Sequence, residues 1–498
     1  MHKITLNKLW VISFVGAILI LMLKTSYINN FDFLWGLKNG EIMFKTKKLV
    51  TEELFSFPNI NKFYINDQWL YQIISYLIYM IGGFNLINFI HAILVTFICL
   101  ILFKLCYKLN NNLRLSILSV LIGFTLSVFN FGVRAQIIGV LFFSLYLYML
   151  FFPLAYRQRY PRLYFVLFPI IMICWVNSHS SFVLGLILIG CFLISSILEE
   201  LLKHKKFSIL FKIKRIKILF IFFILSIISV FINPYGYKII THLFNAVTSE
   251  YPKSFISEWA YTSVKEPLGI YFFVMLFFTL ILVLKSKSKP EILEFILLLI
   301  FGAIGLIAIR FTLWFGIIII PLLSSNFGIF LRKYFKIKIE DFREREYYKL
   351  NFILSFLILG LVILYLPWFR EVNPLIKKEG NYPFDNSVPI NAVEFLKKKN
   401  IKGRIFHTQC GGYLEWALYP DVETFLGIRV QEGIERIMRD YYKIIYAIEG
   451  WGKILDKYKI NYILLNTMEQ RYLISCLKKR HNWDIIYSDK RFVIFEKK

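Results

Sequence analysis

The chain has 498 residues, of which 57% are hydrophobic, 18% aromatic and only 18% charged, with a formal charge of +27. Soluble domains run nearer half apolar and a quarter charged, so a soluble enzyme and a disordered chain are both excluded. A nucleic-acid binder of this charge is excluded too, because most of the chain offers no polar surface to carry its basic residues. Lysine outnumbers arginine 41 to 18, a bias that codon usage alone can produce, so placement rather than abundance is informative.

A bilayer's hydrocarbon core of about 30 Å needs roughly 20 apolar residues of helix. Eleven stretches qualify as spans, near 9–27, 84–106, 114–130, 136–153, 163–177, 181–200, 218–233, 268–284, 291–309, 312–330 and 350–368. The first follows Lys3 and Lys8 as a signal peptide would, but no small-residue cleavage pattern closes it, and it reads as a retained anchor. Residues 69–82 are apolar, aromatic and too short to span, and read as a helix lying in the interface.

Charge then orients the spans. With the N-terminus inside, the inside connections hold 25 basic residues and the outside connections 11. Every inside connection is basic, and the alternation never breaks. Counting 69–82 as a span would invert every later loop.

Eleven spans place 369–498 outside. This segment carries 23 basic and 16 acidic residues and lacks long apolar runs. Its pattern predicts helices at 391–399, 432–447, 451–458 and 468–480, strands at 404–407, 424–428 and 462–466, and a hairpin of 484–488 with 492–496. The expected architecture is an α-helical polytopic membrane domain (1–368, with an outer loop and interfacial helix at 28–83) and a C-terminal extracytoplasmic α/β domain. The six cysteines show no metal spacing. Only Cys410 and Cys476 lie where they can pair outside the membrane, and the sequence leaves that open.

Walker A, GxGxxG, HExxH and GxSxG motifs are absent. The spans are nearly free of ionisable groups, apart from His91 and the carboxylates Glu291 and Glu294 at an inside mouth. Ion-coupled carriers place such groups near the midplane, where they are costly unless they function. The polar residues gather instead at the outer mouths. They include Asp32-Phe33-Leu34-Trp35, Glu53, Asp67-Gln68-Trp69, Val133-Arg134-Ala135-Gln136, Trp175-Val176-Asn177-Ser178-His179, Asn233-Pro234-Tyr235-Gly236, Ser257-Glu258-Trp259 and Arg310.

These motifs, in this order, resemble the GT-C superfamily of membrane glycosyltransferases, in particular a bacterial branch with Asp-x-x-Trp, Trp-x-Asn-x-His, Asn-Pro-Tyr-Gly and Glu-Trp motifs. The likeness covers nearly the whole chain, and Gly411-Gly412-Tyr413-Leu414 resembles that branch's Gly-Gly-Tyr-Leu motif. The general plan is similar to the oligosaccharyltransferase catalytic subunit and to protein mannosyltransferases. It implies transfer of a sugar from a polyprenyl-phosphate-linked donor to an extracytoplasmic glycan, lipid or protein, in the bacterial cytoplasmic (inner) membrane. Membrane lipids are the other implied partners, and no nucleic acid is.

By the same resemblance Asp32 is the catalytic carboxylate, as general base or metal ligand. A hydroxyl attacking a sugar carbon needs such a base, and the leaving phosphate needs cationic or N–H donors. Arg134, Arg310 and His179 fit the second role, with Asn177, Glu258, Trp35 and Trp69 as further substrate-binding candidates. The chain lacks the adjacent Asp-Glu pair of protein mannosyltransferases and the two-acid metal motif of oligosaccharyltransferase, so a divalent metal stays open. Plainer roles are open for each residue. Asp32 can cap a helix, Asn177 and His179 can close a turn, Arg134 and Arg310 can snorkel, and Glu53 and Asp67 read as solvated loop carboxylates. Two other functions also remain: a polysaccharide polymerase or ligase using lipid-diphosphate oligosaccharides, and a non-enzymatic lipid-glycan transporter or scaffold.

Overall fold

The computed structural model describes residues 6–25, 27–28, 31–155, 160–205, 207–248, 257–337, 348–374, 383–408, 410–427 and 434–498. Each of the eleven predicted spans coincides with a helix. Among the described residues seven helices are long and apolar enough to cross a membrane, and Leu113–Ser127, Tyr164–Val176 and Ile292–Ile307 are shorter apolar helices. The chain is a multi-pass membrane protein. The helix Trp69–Asn110 is interrupted by non-helical backbone at Gly82 and Gly83, the latter at φ 61°. The break falls where the sequence reading ends the interfacial helix and starts the next span.

The chain divides into two compact units. One comprises Met1–Ser26 and Asn88–Asn373. Its centre is the helix Thr312–Phe335, buried continuously from Thr312 to Ser324. Small residues let this helix approach Leu113–Ser127 at backbone distance: a Cβ on Gly123 would run into the Gly316 carbonyl and the Ile320 side chain. Without a hydrophobic drive between helices in lipid, such close packing is what holds them together. Aromatic edges fill the remaining space, with Phe143 against Trp314 at 5.3 Å and Phe301 at 5.4 Å.

The second unit comprises Tyr27–Ile87 and Pro374–Lys498, so the loop after the first span shares a core with the C-terminal segment. Its core holds a five-stranded mixed sheet. The strands are β1 Gly403–His407, β2 Val422–Thr424, β3 Tyr462–Asn466, β4 Trp483–Ser488 and β5 Phe492–Lys497. β1 pairs in parallel with β2 and β3, while β5 runs antiparallel to β3 and β4. The second strand starts two residues earlier than predicted and stops at Thr424. There Thr424 N–H turns to the Phe55 carbonyl and Ser56 Oγ donates to the Phe425 carbonyl, so residues 55–56 cover the sheet edge. An uncovered edge would invite foreign strands.

Two helices of this unit lie in segments to which the sequence pattern assigns no helix. Phe31–Thr46 buries Phe33, Leu34 and Leu37 at helical spacing, and Gly411–Leu418 packs against it. Cys410 and Cys476 are free thiols.

Candidate functional site

Four loop segments of the first unit converge on one cluster. Val133 and Ala135 are buried and pin the short segment that carries Arg134. Arg134 Nη1 donates to both Glu258 carboxylate oxygens, at 3.0 and 3.3 Å, and Nη2 reaches the Asn130 side chain and backbone. Arg310 follows the helix Ile292–Ile307 on a single 3-10 turn, its guanidinium 4.7 Å from the Trp259 ring centroid. A backbone bond and a side-chain bond hold the two strips together: Ile309 N–H donates to Ala260 O at 2.9 Å, and the Thr262 hydroxyl donates to Gly305 O. Glu258 is half-exposed and Arg134 nearly covered. Burial works against the Glu258 charge, but Arg134 and Arg310 outweigh it and hold the carboxyl below its usual range.

His179 lies in the turn between Tyr164–Val176 and Phe182–His204. Its Nδ1 accepts from Ser181 N–H at 3.0 Å and meets Ser181 Oγ at 2.8 Å, while Trp175 Nε1 donates to that same hydroxyl. An imidazole nitrogen that accepts a backbone N–H bears no proton, so Nε2 carries it. Burial, then the positive charges of Arg310 and Arg134, push the His179 pKa down to about 3. At neutral pH His179 is therefore an uncharged N–H donor in a cationic field. Gly139 makes the turn possible, because a Cβ there would meet Ser181 Oγ and lie 3.1 Å from Trp175 Nε1.

Asn177 makes the bonds of a turn residue. Its amide donates to the carbonyls of Ile173 and Ile232, tying the end of one helix to the end of Lys214–Val230. Asn233-Pro234-Tyr235-Gly236 is the expected turn, closed by Asn233 onto Val230 O, Gly236 O and Tyr235 N. Arg134, Asn130, His179, Ser181, Glu258, Trp259 and Arg310 thus form one cation-rich cluster. Two polar atoms beside it, Arg134 Nε and Gln136 Oε1, are buried without a hydrogen-bond partner among the described residues. Sequence reasoning gave Trp259 and Gln136 no role, since neither residue type declares one outside its contacts.

The remaining candidates belong to the second unit. Asp32 is half-buried in the first turn of Phe31–Thr46, where a carboxylate also suits the helix dipole. Trp35 is buried at 7% exposure, and Trp69 packs against the core of Met43, Val50 and Tyr64. These placements tie both rings into the packing of this unit. Glu53 corrects the reading as a solvated carboxylate. It is buried, and its Oε1 accepts from Phe55 N–H and Ser56 N–H at 2.9 and 3.0 Å. Among the described residues no group of three or more His, Cys, Asp or Glu stands together to hold a metal ion.

No protein-family model matches the sequence, and no curated protein matches it. Solved structures do match. An apo oligosaccharyltransferase of Archaeoglobus fulgidus aligns at a TM-score of 0.57 and 11% identity, over 98% of this chain and 74% of that one. The oligosaccharyltransferase AglB of the same organism, in complex with an inhibitory peptide and a dolichol-phosphate, aligns at 0.56 and 10% over the same shares. The arabinofuranosyltransferase AftD from Mycobacteria aligns at 0.55 and 10%, over 98% of this chain and 40% of that one. Across nearly its whole length the chain has the fold of these GT-C membrane glycosyltransferases.

Proposed function

We propose that the chain is a membrane glycosyltransferase that moves a sugar from a polyprenyl-phosphate-linked donor to an extracytoplasmic glycan, lipid or protein acceptor. One observation carries the reading: two arginines and a neutral histidine N–H converge in a chain of this fold. Such a cluster suits a departing lipid phosphate, whose charge grows as the glycosidic bond breaks. A fold relative was solved with a dolichol-phosphate bound, which makes a lipid phosphate the ligand to test first. The positive-inside bias supports an outer position for the cluster and for Asp32, with the N-terminus in the cytoplasm.

In this reading Asp32 takes the proton of the acceptor hydroxyl as the oxygen attacks the anomeric carbon. The lipid phosphate leaves with the bonding pair. The test is transfer from labelled polyprenyl-phosphate sugars by the purified chain. Asp32→Asn should lower the rate by a factor of roughly 10² to 10⁴ without changing donor affinity. Undiminished transfer by that variant would remove Asp32 from the base role, and wild-type protein that binds no lipid phosphate would overturn the function.

A further inference from the structure

Among the described residues of the helical unit, Asn88 is the most isolated polar group. It is 2% exposed, and neither its Nδ2 nor its Oδ1 has a hydrogen-bond partner among the described residues. An amide left unpaired in apolar surroundings is costly and persists where something else satisfies it. One turn further on the same helix stands His91, also buried, with Nε2 3.1 Å from the Phe131 carbonyl. A carbonyl only accepts, so that nitrogen carries the proton and Nδ1 is left as an acceptor. Positions i and i+3 share a helix face, so Asn88 lies on the side of the helix that meets the Phe131 segment.

That segment leads into the cluster. Phe131 is three residues before Arg134, a separation of at most about 11 Å along the chain. The cluster end is cationic. The Asn88 end offers two N–H donors and two neutral acceptors with no formal charge, which is the complement of a polyol and not of an anion.

We propose that Asn88, assisted by His91, binds hydroxyl groups of the sugar carried on the lipid phosphate, and so helps to set sugar specificity. The inference rests on the function proposed above and refines it. The phosphate meets Arg134, and the sugar reaches inward to the unpaired amide.

The test compares binding of bare polyprenyl phosphate with binding of its glucose, mannose and arabinofuranose forms by the full-length chain in nanodiscs. Wild type should bind at least one sugar form about tenfold more tightly than the bare lipid, the equivalent of one good hydrogen-bond set. Asn88→Leu should abolish that preference while leaving bare-lipid affinity and melting temperature unchanged or raised. Arg134→Ala should weaken all four ligands alike. If Asn88→Leu fails to fold, Asn88→Ala carries the same comparison.

A preference that survives substitution overturns the proposal and leaves Asn88 to a buried water. So does a wild type with no preference among the four. Wild type that binds none of them overturns the proposed function instead, so the two failures are distinguishable.

Discussion

At the scale of single residues, the decisive question is what meets each buried polar atom. Glu53 keeps its carboxylate buried because two backbone N–H groups of its own turn donate to it. Removing the acceptor strands both donors, at about 1–3 kcal/mol each. Glu53→Ala should therefore lower the melting temperature clearly, and a variant that melts with wild type would show that the turn finds other partners.

His179 makes a prediction of opposite chemistry. Its pKa is pushed down to about 3 from an ordinary 6.5, so the unfolded chain takes up this proton before the folded one does. Its contribution to stability is complete above about pH 6.5 and falls away as pH drops towards 3. Thermal melts at pH 7.5 and 5.0 should show a larger loss for wild type than for His179→Gln. Equal losses would mean that His179 is not held neutral.

At the scale of elements, close backbone approach decides the packing. Gly40 of the helix Phe31–Thr46 faces Gln72, and a Cβ there would run into the Gln72 carbonyl and sit 3.0 Å from the Tyr76 Cβ. Backbone cannot yield as a side chain end does, so Gly40→Ala should cost about 1–3 kcal/mol. Gly190→Ala, with nothing within 4 Å, is the control and should be neutral or slightly stabilising. Similar melting of both variants would disprove the tight contact.

The same glycines explain what the sequence concealed. Phe33, Leu34, Leu37 and Met43 follow a helical period, but Gly36 and Gly40 dilute it to a loop-like composition. Gly411 and Gly412 do the same for the helix Gly411–Leu418. Gly411 is there because a Cβ would strike the His407 ring. A glycine required by a neighbour looks the same in sequence as one required by a turn. The longer spans had no such ambiguity, and their helices stand where hydropathy put them. Arg134 and Arg310 were legible as site candidates because charge at a span mouth is rare, whereas Asn88 was not, since an unpaired amide is defined only by its surroundings.

At the scale of the whole molecule, the proposed orientation rests on the distribution of basic residues, with 25 in the connections read as inside and 11 in those read as outside. Two exposed lysines test it. A cysteine at Lys490, in the C-terminal segment, should react with a membrane-impermeant maleimide on intact cells. One at Lys205 should react only after permeabilisation, and the reverse pattern would invert the topology.

The sequence alone determined that this is a membrane protein, where its apolar helices run and that an α/β segment follows them. Hydropathy and charge are local quantities summed along the chain, so they survive without a fold. Only the tertiary structure decided that residues 27–87 share a compact unit with 374–498, and that Arg134, His179, Glu258 and Arg310 meet. Those outcomes depend on which segments pack side by side, a matter of shape complementarity between parts of the chain that lie far apart in sequence.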